Sequence, residues 1–186
     1  MRGRASLLRS VLVLLFTVAT DRQAGAHSAS DAYLTLNAQM SASAANTIVH
    51  AQWDIALRDL DFVLGLDDDG DGNIVWKELR AHQSEIARYA YSYLSVSAEG
   101  KGCRVVPARQ MVDFHADGAY ATLFFDVACE GAPKRLTLDY RLFFKIDPSH
   151  RAIVVMRSGD NVATAVLSPD NAKIEFQPQS ALYSPR

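Results

Sequence analysis

Five acidic side chains fall within twelve residues from Asp67 to Glu78, in the order Asp-Asp-Asp-Gly-Asp-Gly-Asn-Ile-Val-Trp-Lys-Glu. Counted from Asp67, carboxylates occupy positions one, three, five and twelve, as Asp67, Asp69, Asp71 and Glu78. Alternate side chains of a tight loop point to one centre, and a glutamate on the next helix can reach back to it. A hard cation that takes six to eight oxygens, calcium above all, suits such a set. Gly72 stands at position six, where the turn is sharpest and a side chain is least tolerated. Asn73 would add its backbone carbonyl, Glu78 both carboxylate oxygens, and Ile74 an apolar anchor to the body of the protein. Asp68 at position two faces outward in this geometry. Val75 at position nine brings no ligand, which leaves that place to water.

This is the spacing of an EF-hand calcium loop. The plainer alternative is an acidic surface turn, since Asp-Gly pairs favour turns. It does not explain Gly72, Ile74 and Glu78 in register with the carboxylates. Without a cation the four aspartates would repel one another along a few residues of chain. Calcium is therefore the expected cofactor. The chain carries no second copy of the motif, which favours a structural ion over a paired, switching sensor.

Two other constellations carry chemistry. Cys103 and Cys129 are the only cysteines, with no Cys-x-x-Cys, and a structural disulfide is the expectation. His27, with the free amine created by cleavage after Ala26, could chelate copper or nickel together with His115 or His150. Otherwise His27 is a terminus, His115 part of a hairpin turn and His150 a polar surface residue. Catalysis finds no support: there is no Gly-x-Ser-x-Gly elbow, no phosphate-binding glycine loop and no carboxylate pair outside the acidic loop. The chain is not expected to be an enzyme.

The elements that position these residues are legible in part. Arg2, Arg4 and Arg9, the apolar run Ser10 to Ala19 and Ala24-Gly25-Ala26 read as a secretory signal peptide over 1–26. The rest reads as one domain over 27–176 and a flexible tail over 177–186. Removing 1–26 leaves 15 basic against 20 acidic side chains, a charge of −5, and no electrostatic case for nucleic acid. Val49, Ala51, Trp53, Ile55 and Leu57 alternate with polar residues as in a half-buried strand. Helical spacing surrounds the acidic loop, with Leu60, Val63 and Leu64 before it and Ile86, Tyr89, Ala90 and Tyr93 after it. Further strands are expected near 31–38, 105–107, 111–114, 120–129, 135–144, 153–156, 162–167 and 173–176. The fold class is α+β: mainly an antiparallel β-sandwich, with an EF-hand-like helix–loop–helix inserted after the second strand.

Several phrases together resemble the extracytoplasmic N-terminal domain of HupE/UreJ-type membrane proteins. They are Ala26-His27 ahead of Ser30-Asp31-Ala32-Tyr33-Leu34, the run Trp53 to Leu60, the acidic loop, His115 to Tyr120, and Leu142 to Arg151. The resemblance covers nearly all of 27–176 and implies a secreted, periplasmic module, with a membrane protein of the envelope as a possible partner. The membrane-spanning half of that family has no counterpart in this sequence. The resemblance therefore fits a free relative, a fragment or a truncated copy, and it carries over neither transport nor the family's metal. The expected function is a calcium-binding extracytoplasmic module. A copper or nickel carrier or sensor, or an interaction domain for a membrane partner, are the alternatives.

Overall fold

The computed structural model describes residues 30–39 and 46–178. The expected signal peptide, His27, residues 40–45 and residues 179–186 lie outside them. Two strands open the fold, β1 (Asp31–Gln39) and β2 (Asn46–Ala56), paired antiparallel with Leu34 opposite Trp53. Their alternation places Leu34, Leu36, Val49, Ala51, Trp53 and Ile55 on one buried face, as period-two side-chain geometry requires. Three short helices follow: α1 (Leu57–Leu64), α2 (Trp76–Ala81) and α3 (Gln83–Ser92). The acidic loop joins α1 to α2, so the helix–loop–helix does follow the second strand.

The described elements after α3 are strands: β3 (Leu94–Ala98), β4 (Lys101–Gly102), β5 (Arg104–His115), β6 (Gly118–Glu130), β7 (Leu136–Tyr140), β8 (Arg151–Ser158), β9 (Asn161–Leu167) and β10 (Lys173–Phe176). With β1 and β2 they form a six-stranded sheet, ordered β5-β6-β2-β1-β8-β9, and a four-stranded sheet, ordered β10-β7-β3-β4. One core joins both sheets and the helices. Trp53, Leu123 and Phe125 of the large sheet share it with Val96, Leu138 and Tyr140 of the small one, and with Leu60, Leu79 and Ile86. Each such side chain contributes about 1.5–3 kcal/mol by leaving water. The fold is α+β and mainly sheet, as expected.

Three details differ from the sequence reading. The large sheet is mixed, because β1 pairs in parallel with β8, Leu34 opposite Val154. Pro107 does not end its strand; the ladder skips a residue between Pro107 and Arg109, and β5 continues through that bulge to His115. The strand expected over 135–144 stops at Tyr140. Beyond it Leu142 and Phe143 are both buried, which a strand with one buried face cannot achieve, and Phe143 takes a left-handed φ of 61°. The amides of Ile146 and Asp147 both bond to the Phe143 carbonyl, closing a tight turn.

The disulfide is present. Cys103 and Cys129 are bridged with Cα atoms 4.6 Å apart, closing the open end of the β5–β6 hairpin. Among the described residues no helix is long and apolar enough to cross a membrane.

Candidate metal centre

Helix α1 ends where Gly65 takes a left-handed φ of 64° and its amide bonds to the Asp61 carbonyl at 2.7 Å, the usual glycine stop. The Asp61 side chain then receives the amides of Leu66 (2.7 Å) and Asp67 (3.1 Å). One carboxylate of α1 thus fixes the entry of the acidic loop, while Leu66 is fully buried beneath it.

Within the loop the carboxylates organise the backbone. Asp67 Oδ1 accepts the amides of Gly70 (2.9 Å) and Asp71 (3.2 Å), and Oδ2 that of Gly72 (2.8 Å). Asp69 Oδ1 accepts from the Asp71 amide at 3.2 Å, and Asp71 Oδ1 from the Asn73 amide at 2.7 Å. Gly72 has a φ of 83°, a conformation that a Cβ would strain. These bonds bring one oxygen each of Asp67, Asp69 and Asp71 within 4.8 Å of one another, a group that could hold a metal ion. The Asp71 amide draws the Asp69 carboxyl down. The charges of Asp71, Glu78 and Asp67, with some desolvation, outweigh it and hold that group above the usual aspartate range. Like charges held this close favour any cation that relieves them.

Glu78 lies in the same loop and is buried. Its Oε1 accepts the amide of Asp68 at 2.9 Å and its Oε2 that of Val75 at 2.8 Å. It thereby fastens the start of the loop to its end and caps α2, whereas the oxygens that converge belong to the three aspartates. The Asn73 side chain reaches back to the Asp71 carbonyl at 3.4 Å. Ile74 is half-buried against the core, as an anchor should be.

Sequence reasoning missed His82, which braces the loop from outside. Its Nε2 lies 3.0 Å from Asp68 Oδ1, and its Nδ1 lies 3.0 Å from Glu85 Oε2. These two hydrogen bonds hold the imidazole above its usual pKa. The signal was available as Asp68, His82 and Glu85 flanking one short helix. A cleft of about 370 Å³ opens on the loop's other side, between Asp67, Asn73 and Ile74 and the turn at Asp117 and Gly118, with Arg58 on its wall.

The histidines go separate ways. His115 packs on the outer face of the large sheet, its ring 4.1 Å from that of Tyr120 and 5.0 Å from that of Tyr33. His150, read from sequence as polar surface, is fully buried. Its Nδ1 is 2.6 Å from Ser30 Oγ and its Nε2 2.7 Å from the Tyr140 hydroxyl. Burial lowers its pKa to about 4. The Asp triplet is the one cluster of three or more His, Cys, Asp or Glu side chains, among the described residues, with converging ligand atoms. No family model and no curated protein matches the chain.

Proposed function

We propose that the protein is an exported module that binds one calcium ion in the Asp67–Glu78 loop, and that the ion serves its structure. The convergence of Asp67, Asp69 and Asp71 within 4.8 Å carries this reading. The Asn73 carbonyl and water would extend the oxygen set, with Glu78 turning from its amides to join it or remaining as the strut that shapes it. The loop is tied to α1 through Asp61 and to α3 through His82, so an ion there would lock the helical insertion onto the sheets. The reading draws its compartment from the disulfide and from the leader-like residues 1–26. Where calcium is plentiful, a site of about 0.1–1 mM stays largely filled.

The test is a thermal melt of chelator-stripped protein with calcium or magnesium restored. At ten times the dissociation constant, linkage gives about 1.4 kcal/mol, a rise of roughly 3–6 °C in Tm. Trp76, half-exposed inside the loop, reports binding by fluorescence. A calcium response that survives the double change Asp67→Asn and Asp69→Asn would refute the assignment.

A further inference from the structure

Each sheet ends in two edge strands, and among the described residues only β9 is left unguarded. The opposite edge of the large sheet, β5, carries Arg104, Arg109 and Asp113, with Pro107 and the bulge beside it. The small sheet ends in β4, two residues long, and in β10, four residues long with Lys173 and Glu175. Charge, proline, bulges and shortness are the devices that stop an edge from recruiting another strand. None of them is present in β9. Its seven residues, Asn161-Val162-Ala163-Thr164-Ala165-Val166-Leu167, hold no charge and no proline, and its ladder with β8 runs without a break in register.

That register fixes which backbone groups the edge offers. Only Gly159 and Asp160 separate β8 from β9, and Gly159 takes a φ of 54°, the glycine-first turn of tight hairpins. Ser158 and Asn161 close such a turn as a hydrogen-bonded pair, so Ala163, Ala165 and Leu167 also bond inward to β8. Val162, Thr164 and Val166 therefore turn their N–H and C=O groups outward. Among the described residues no turn or loop backbone bonds to them. Leu167 is buried and Ala163 packs on the core, which places the alternate side chains on the outer face of the sheet. There Val162 is 54% and Val166 55% exposed.

An antiparallel copy of β9 fits this edge about a two-fold axis through Thr164. Thr164 then meets Thr164 of the second copy, and Val162 of each copy meets Val166 of the other. All of these pairs are of the doubly hydrogen-bonded kind, because each residue already faces its groups outward. Valine is set beside valine, and no charge is brought against its like. We infer that β9 is the surface through which a second copy of this chain binds, joining the two large sheets into one. The contact is the same on both sides, so it closes at two. A standard interface uses about 20–30 residues a side; a single edge strand gives a weak, reversible dimer. The inference is independent of the calcium reading, since no residue of β9 belongs to the acidic loop.

Sedimentation velocity of the full chain in excess calcium, from about 1 μM to about 1 mM, should show a monomer–dimer equilibrium. Val162→Lys with Val166→Lys sets lysine against lysine across the axis and should weaken the dimer by at least about tenfold. Val162→Lys with Val166→Glu adds as many charges but sets lysine against glutamate, and should restore most of the association in a salt-sensitive way. Thr164→Pro removes an N–H that faces away from β8, so it should abolish the dimer and leave the monomer folded. Met111→Lys, on β5, should change nothing. A monomer at about 1 mM overturns the inference, whether another segment of the chain covers β9 or nothing does. So does a dimer indifferent to the paired lysines, a lysine–glutamate variant as weak as the lysine pair, or an assembly that grows beyond two. If Thr164→Pro fails to fold, the comparison of the two valine replacements still decides.

Discussion

The buried His150 makes acid the sharpest probe of this fold. Ser30 Oγ donates to Asp59 Oδ2 at 2.8 Å, which commits its proton. His150 Nδ1–H must then donate to Ser30, and Nε2 must accept from the Tyr140 hydroxyl. Every proton in the chain Tyr140–His150–Ser30–Asp59 has its place only while the imidazole is neutral. A second ring proton would face the Tyr140 hydroxyl and cost the chain its order, in a site already closed to water. Burial accordingly depresses the pKa to about 4, against about 6.5 in the unfolded chain. Between those values the unfolded state binds more protons, so stability rises with pH. The contribution is complete above about pH 6.5 and drains away as pH falls towards 4. The whole shift is worth about 3 kcal/mol, most of it lost by pH 4.5. Urea unfolding of the wild type and of His150→Gln, at intervals from pH 7.5 to 4.5, isolates this one group. The variant starts less stable, but its curve should be flatter than the wild type's by the stated amount. Parallel curves, or an imidazole in the folded protein that titrates near 6.5 by NMR, would refute the reasoning.

Other outcomes follow from the same geometry. Asp61→Ala releases the amides of Leu66 and Asp67 and should weaken calcium binding together with stability; calorimetry of both checks it. Glu78→Gln removes one acceptor oxygen from a pair of amide bonds, so stability without calcium should fall by about 1–3 kcal/mol, and calcium affinity should fall with it. Gly65→Ala meets no steric contact but must hold a φ of 64°, and should lower stability by about 1 kcal/mol in denaturant melts. Reducing the disulfide frees a loop of 26 residues, worth about 3.5 kcal/mol in the chain-entropy model, read as a drop in the urea midpoint.

Local chemistry was legible in the sequence and long-range pairing was not. The helix–loop–helix was readable because its signals are short-range: the spacing of Asp67, Asp69 and Asp71, the glycine at 72 and the apolar Ile74. The ends of β10 were readable for the same reason, through alternation bounded by turn residues, and those of β6 to within two residues. Alternation fixes a face but names no neighbour, so nothing in Leu34 or Val154 announced that β1 would pair in parallel with β8. His150 was misread because its environment is assembled from Ser30, 120 positions away, and Tyr140, 10 away; in the local string Asp-Pro-Ser-His it resembles a turn. Leu142 to Phe144 were misread because apolar alternation persisted past the point where the chain turned. Spacing alone did not announce that the Glu78 carboxylate bonds the amides of Asp68 and Val75.

The position of β1 also bears on how the chain reaches this state. It is the first described strand to leave the ribosome, yet it lies inside the large sheet, with β8 as its partner on one side. Until residues 151–158 are made, one edge of Asp31–Gln39 has no strand to bond with, and the Ser30–His150 contact cannot form. Loop closure over such a distance is slow, and an open apolar edge in the meantime invites pairing with another chain. Folding of this protein should therefore end, rather than begin, with the strand that comes first.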